Sequence, residues 1–391
     1  MQWWRPFAIM EGMEEADDSG LEAAARKAGR LRIALVTNIP APYRVPVLNI
    51  LAADPGIDLH VFYAAHREPD REWDLPDFSH RHSFLRERFY FTGYSYIHNN
   101  PDVFAALRAF NPQVVVTTGF GPTYLYAFAY TQLFRRRHVA MTDGTLSSEA
   151  TQSGLHRLLR RVVLGRTGAF VVSSEGGRAL FRSYGVPDAK IHFSPLCANT
   201  SVIWERPSAS PELDFLFSGR LVEVKNPEFA LEVSCEVAKR LKRRITLGIL
   251  GSGPLEGHLR AKADAIAEFV DVRFAGHVRQ GEIPVWFART RVFLFPTSWD
   301  PWGVVANEAC QAGVPVIVSP HAGVAGELVR DGINGYVRPL DLAQWTNVAA
   351  ELLANADLHA RLSHSARVSA APYNFENAAS GIAKAARMAL S

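Results

Sequence analysis

The sequence predicts an α/β protein built from two doubly wound parallel-sheet domains that face each other across a cleft. Three observations lead there. Short apolar runs ending in turn residues alternate with helical patterns along most of the chain. These runs are apolar along their whole length, the pattern of strands covered on both faces in a Rossmann-like unit. The alternation breaks once, at NTSVIWERPSASPE, a Pro/Ser-rich aperiodic stretch from Asn199 to Glu212 that reads as a linker. At 391 residues the chain is too long for one compact core and a comfortable length for two.

Residues 1–29, which contain Met10 and Met13, read as a loosely ordered extension without the apolar core and cleavage site of a secretory signal. The first domain, residues 30–198, opens with LRIALVT, a buried strand from Leu31 to Thr37, then the loop NIPAPYR and the amphipathic segment VPVLNILAA. IDLHVFY, PQVVVTTG, HVAMTDG, GAFVVSS and KIHFSP continue the strand series. Between them PTYLYAFAYTQLF, Pro122 to Phe134, reads as a buried helix; at 13 residues it falls short of the roughly 18–20 a membrane span needs. The second domain, residues 213–370, repeats the alternation through LDFLFSGR, RITLGILGSGP, VDVRFAGHV, RVFLFPTSW and GVPVIVSP. Residues 371–391 end in a helix with a weak apolar stripe that can pack back on the first domain.

Several function classes drop out. A net charge of +3 argues weakly if at all for a nucleic-acid partner, and none is expected. Cys197, Cys235 and Cys310 form no CxxC and read as buried reduced thiols of a cytoplasmic protein. GSGPLEG imitates a dinucleotide fingerprint, but its third glycine, Gly257, comes one place late, and Asp271 precedes its strand. GxxxxGK[ST], HExxH, GxSxG and Asp-x-Asp are absent, so neither a P-loop nor a metal–diphosphate clamp is expected.

Doubly wound sheets bind ligands beyond the carboxyl ends of their strands, and two loops there carry the right chemistry. In FSGRLVEVKNPE, Gly219 and Arg220 end a strand and Lys225 follows just before a helix that Asn226 caps and Pro227 starts. Two cations beside a helix start suit a diphosphate, although a solvated loop would carry the same charges. In TSWDPWGVVANEACQAG, a helix is expected from about Gly303 to Gln311, ended by Gly313. Gly303 would let the backbone approach a ligand. The N–H groups of Gly303, Val304 and Val305 would face an anion. Glu308, one turn further, could accept both hydroxyls of a ribose. The plain alternative is that Asp300 caps the helix and Glu308 is an exposed helix residue.

TNIPAPYR, SGRLVEVKN, GSGP, FAGHV, DPWGVVANEACQAGVPVI and GVAGELVRDGINGYV, in that order and spacing, resemble the retaining glycosyltransferases of family 4. That resemblance implies the GT-B fold and a nucleotide-diphosphate-sugar donor, with no metal or other cofactor. It implies that Arg220 and Lys225 hold the diphosphate and Glu308 the ribose. Asp300, where the family usually has Glu, would lie by the donor sugar, and the backbone at His277 and Val278 would meet the nucleobase. Two rival readings stay open: a nucleotide-sugar epimerase, and a non-catalytic homologue acting as a partner protein. In the first domain the Pro40–Arg44 loop, the Gly119–Gly121 turn and Asp143 are expected at the cleft, on the acceptor side. Residues 135–166 carry seven arginines against two acids, a net charge of +5, with an amphipathic basic helix through RLLRRVVL. This suits a protein that meets a lipid-linked acceptor at the inner face of the cytoplasmic membrane, or a solvated face.

Overall fold

The computed structural model describes residues 29–69, 77–92, 96–146, 152–198 and 212–391; the extension and most of the linker fall outside them. The strands of the N-terminal domain are β1 (Leu31–Thr37), β2 (Ile57–Tyr63), β3 (Arg81–Phe84), β4 (Phe89–Phe91), β5 (Tyr96–His98), β6 (Val114–Thr117), β7 (Arg137–Thr142), β8 (Ala169–Val172) and β9 (Ile191–Phe193). Seven form one parallel sheet in the order β3-β2-β1-β6-β7-β8-β9, while β4 and β5 make a separate antiparallel pair. Alternation across the pleat supplies both covers. Ile33, Leu35, Val114 and Val116 join one apolar cluster, and Ala34, Val36 and Val115 another on the opposite face.

The C-terminal domain has β10 (Leu213–Ser218), β11 (Ile245–Leu250), β12 (Val270–Gly276), β13 (Thr290–Phe295), β14 (Val316–Val318) and β15 (Gly335–Val337). They form a parallel sheet in the order β12-β11-β10-β13-β14-β15. Each sheet therefore has one switch point, where the chain leaves in opposite directions from neighbouring strands: β1/β6 in the first domain and β10/β13 in the second. Crevices at such points are where doubly wound sheets receive ligands.

Helix Phe375–Met388 lies on the first domain, not the second. Ala378, Ala379, Ile382, Ala385 and Ala386 join the core of β1, β2 and helix Val45–Ala53. A Cβ on Gly381 would stand 1.7 Å from the Phe193 carbonyl oxygen, so the helix rests directly on β9. Its stripe is weak in sequence because alanine adds little hydrophobicity while permitting this close approach. Helix Pro122–Leu133 differs from the sequence reading. It buries Thr123, Ala127, Tyr130 and Thr131 but leaves Tyr126 and Leu133 exposed, because the sheet covers only one side of it.

Candidate active site

Both predicted loops leave the β10/β13 switch point. After β10, residues Glu223–Lys225 form a single 3₁₀ turn and Asn226 takes a left-handed backbone, φ 52°, ahead of helix Pro227–Leu241. Asn226 occupies the cap position, but its side chain makes no capping bond. The left-handed turn that asparagine tolerates, rather than a side-chain cap, starts the helix. The loop is seated on GSGP: Gly219 N–H donates to Leu250 O at 3.0 Å and Leu221 N–H to Ser252 O at 2.8 Å. A Cβ at Gly251 would lie 1.9 Å from Gly219 O, and one at Gly253 2.5 Å from Leu221 O. The glycines that imitate a dinucleotide fingerprint let two loops cross.

The loop after β13 is fastened to the first one. Thr297 Oγ1 and the Ser298 N–H both donate to Val224 O, at 2.9 and 2.8 Å. Beside this tie, Lys225 Nζ donates to Asp300 Oδ2 at 2.5 Å, each side chain only 17% exposed. The other carboxylate oxygen of Asp300 accepts the Trp302 N–H at 3.0 Å. Asp300 thus shapes the turn and does not cap the helix. Helix Val304–Gln311 is preceded by Gly303 at φ 104°, where a Cβ would come 2.4 Å from the Phe295 ring. The backbone angle and the Phe295 ring each call for glycine here, at a position that also lines the cavity described below. The helix still presents the first-turn N–H groups of Val304 and Val305, which an α-helix leaves without intrahelical acceptors.

Glu308 is buried, and its Oε1 accepts from Gln280 Nε2 at 2.7 Å. Burial pushes its carboxyl up to about 7, the Gln280 bond opposing the rise. Gln280 was not anticipated; its place two residues beyond the predicted base-binding loop was the available signal. Asn307 was missed as well. It is fully buried, accepts from Trp302 Nε1 at 2.8 Å and donates to Leu196 O of the first domain at 3.1 Å. It therefore fixes the helix to the other half of the molecule.

A cavity of 430 Å³ opens between the domains here. Gly219, Lys225, Asp300, Gly303, Val304, Val305 and Glu308 line it, with Pro42 and Tyr43 of the first domain opposite. Arg220 is exposed and lies outside this lining, as do exposed His277 and half-buried Val278. Among the described residues, no group of three or more His, Cys, Asp or Glu side chains could hold a metal ion.

The first domain has its own cavity, 280 Å³, at the β1/β6 switch point. Thr37, Asn38, Thr118, Tyr124 and Asp143 line it, and Arg44 pairs with Asp143 at its edge while reaching Ser194 Oγ at 3.3 Å. Tyr63 also lines the cavity, its hydroxyl 3.0 Å from His80 Nε2, whose Nδ1 lies 2.6 Å from Asn49 Oδ1. The Pro40–Arg44 loop thus serves both cavities. Gly119 lies against the Tyr124 ring, 2.5 Å from where its Cβ would be.

Comparisons with known proteins agree with this architecture. A family model described as Glycosyltransferase Family 4 matches residues 51–202, and one described as Glycosyl transferases group 1 matches residues 201–369. The D-inositol 3-phosphate glycosyltransferase of Streptomyces scabiei is 29% identical over 180 residues, 43% of this chain and 40% of that protein. Its counterpart from Frankia alni is 28% identical over 187 residues, 45% of each. The chain thus matches less than half the length of these curated relatives. Anabaena Alr3699/HepE, solved in complex with UDP, superimposes with a TM-score of 0.70 at 12% identity, covering 91% of this chain and 98% of that one. A glycosyltransferase from Rickettsia africae ESF-5 gives 0.69 at 15% identity, covering 93% and 99%. At such identities the likeness shows the fold, GT-B. With one family model over each domain and two facing Rossmann-like sheets, the chain belongs to glycosyltransferase family 4.

Proposed function

We propose that the protein is a retaining glycosyltransferase that moves a sugar from a nucleotide-diphosphate-sugar to a glycan or lipid-linked acceptor, in cell-envelope polysaccharide or glycolipid synthesis. One observation carries the reading: Lys225, Asp300, the start of helix Val304–Gln311 and Glu308 meet in one cavity at a switch point. In this proposal the diphosphate lies against Lys225 and the helix start, with Arg220 reaching it from the rim. Fixed charge and dipole then stabilise the leaving group without a metal. Glu308 accepts the two ribose hydroxyls. Gln280 and the backbone at His277 and Val278 flank the nucleobase. Asp300 stands by the transferred sugar. A leaving phosphate oxygen takes the acceptor's proton, and closure of the domains limits hydrolysis of the donor.

The acceptor enters from the first-domain cavity, past Arg44 and Asp143. Among the described residues no helix is long and apolar enough to cross a membrane. The basic helix Gly154–Leu164 suits peripheral contact with the inner face of the cytoplasmic membrane. HepE has been solved with UDP and with UDP-glucose, which puts uridine nucleotides first in the test.

That test is a thermal-shift panel of nucleotide-sugars with Arg220→Ala and Glu308→Ala as controls, followed by product analysis with a labelled donor. Stabilisation of the wild type, lost in both variants, supports the donor site. Absence of any shift sinks it. A free or epimerised sugar formed without acceptor would point to an epimerase, and binding without transfer to a non-catalytic partner protein.

A further inference from the structure

The N-terminal domain leaves two groups of large apolar side chains in water, a stripe along one side of a helix and residues on both faces of a two-stranded pair. Helix Gly154–Leu164 exposes Leu155, Leu158, Leu159 and Val162, spaced three and four apart along one side. It buries only Val163 and Leu164, so most of its apolar stripe gains nothing from the protein core. Arg157, Arg160 and Arg161 stand among these residues, within the segment of net charge +5. The second surface is the antiparallel pair β4–β5. Tyr90 and Phe91 are 64% and 61% exposed, and Ile97, directly across from Tyr90, is exposed too. Single exposed apolar residues are ordinary, but contiguous ones mark an interaction site.

Named contacts join the two. β5 runs into Asn99, whose Oδ1 accepts from exposed Tyr126 Oη at 3.1 Å, and into Asn100, whose N–H donates to Thr123 Oγ1 at 3.0 Å. Thr123 and Tyr126 belong to the helix that follows the Gly119–Gly121 turn. In that turn the Phe120 ring lies 4.9 Å from the Arg160 guanidinium. Hairpin, turn and basic helix therefore make one rim. Within it lie Thr118 and Tyr124, which line the first-domain cavity.

We infer that hairpin β4–β5 and helix Gly154–Leu164 are two prongs of a surface that docks on an anionic lipid bilayer around the mouth of the first-domain cavity, so that the acceptor offered to the cavity is the polar head of a lipid held in that bilayer. The statement about the acceptor rests on the reading of the first domain as the acceptor side. Charge decides for a bilayer over a protein partner. Arg157 and Arg161, exposed among the leucines, can lay their stems on the apolar layer and their heads among phosphates, while Arg160 stays on Phe120. Tyrosine and phenylalanine on the hairpin suit the interfacial level where aromatic side chains collect.

The test is flotation of the full chain with vesicles of phosphatidylcholine, with and without phosphatidylglycerol. The expected result is binding to the anionic vesicles alone, weakened by salt. Tyr90→Ser/Phe91→Ser and Leu155→Ser/Leu158→Ser should each lower partitioning at least about tenfold, while both variants keep the thermal shift by nucleotide that the wild type shows. Transfer to a lipid acceptor in vesicles should fall in parallel. Equal binding to neutral vesicles, or none to either, overturns the docking surface. Unchanged binding of the hairpin variant overturns the second prong. Self-association abolished by the same substitutions, seen by light scattering without vesicle binding, assigns the surface to protein contact and overturns it as well. Vesicle binding needs no nucleotide, so a wild type without any thermal shift counts against the donor site and leaves this result standing.

Discussion

Lys225 and Asp300, 75 positions apart in the chain, form a 2.5 Å ion pair inside the inter-domain cavity. The sequence assigned them to different parts of a donor, yet each is the other's partner in the structure. In the proposed donor site, a diphosphate arriving at Lys225 would compete with Asp300 and release that carboxylate toward the sugar. Asp300→Asn keeps an oxygen for the Trp302 N–H and removes the competing charge. Its affinity for a nucleoside diphosphate should therefore hold or rise about two- to fivefold, while transfer falls about 100-fold. Lys225→Ala should weaken binding about tenfold or more. Calorimetric titration of both separates the roles; equal loss in both would refute the competition.

If Glu308 holds the donor as proposed, donor binding should depend on pH. Burial raises its carboxyl from 4.5 to about 7, and in the proposed donor site only the ionised form would accept from both ribose hydroxyls. Affinity should fall as pH drops from 8 to 6, by at most about tenfold per unit. The effect on stability runs the other way. Because the folded pKa lies above the unfolded one, the native state holds the proton longer, and stability is lost as pH rises from 4.5 to 7. Glu308→Gln should then stabilise the free protein at pH 8 by roughly 1–3 kcal/mol, with far less effect at pH 5. It should also abolish the nucleotide-induced shift. Urea titrations at the two pH values check this.

Gly303 is held by two constraints that can be measured apart. Alanine there must adopt φ 104° and place its Cβ 2.4 Å from the Phe295 ring. Gly303→Ala should cost about 2–4 kcal/mol. Adding Phe295→Leu should recover part of that, the steric share, and leave the backbone share. A double variant no more stable than the single one in denaturant would place the whole cost in the backbone.

Glu327 links the domains on the other side of the cleft. Its Oε2 accepts the Glu175 N–H at 2.9 Å, at the start of helix Glu175–Ser183. Burial above all, and the charge of Glu175, raise its carboxyl to about 7 against the pull of that hydrogen bond. Opening of the cleft would return Glu327 to water and its ordinary range, so ionisation should favour an open form. The molecule should expand as pH rises from 6 to 8, and Glu327→Gln should stay equally closed at both. Small-angle scattering on the two proteins reads this directly; expansion of the variant alongside the wild type would assign the opening to another group.

Much of this molecule was legible because its signals are local. Apolar runs such as LRIALVT and RVFLFP specify strands wherever they lie, and Gly313 ends its helix at φ 70°. The two motif loops could be placed at strand ends from neighbouring residues alone. Long-range residues left no such mark. Gln280 is one polar residue in an exposed loop, and nothing near it announces Glu308, 28 positions on. Asn307 looks like any helix asparagine until Trp302 and Leu196 O enclose it.

By itself, then, the sequence determined two doubly wound units and which loops carry charge and helix starts. Only the tertiary structure decided that Lys225 faces Asp300, that Arg220 stands outside the cavity, that Phe295 demands Gly303, and that Gly381 seats the last helix directly on β9. Periodicity and turn chemistry act over a few residues, whereas a side chain's partner and its burial are set by which strands become neighbours in a sheet.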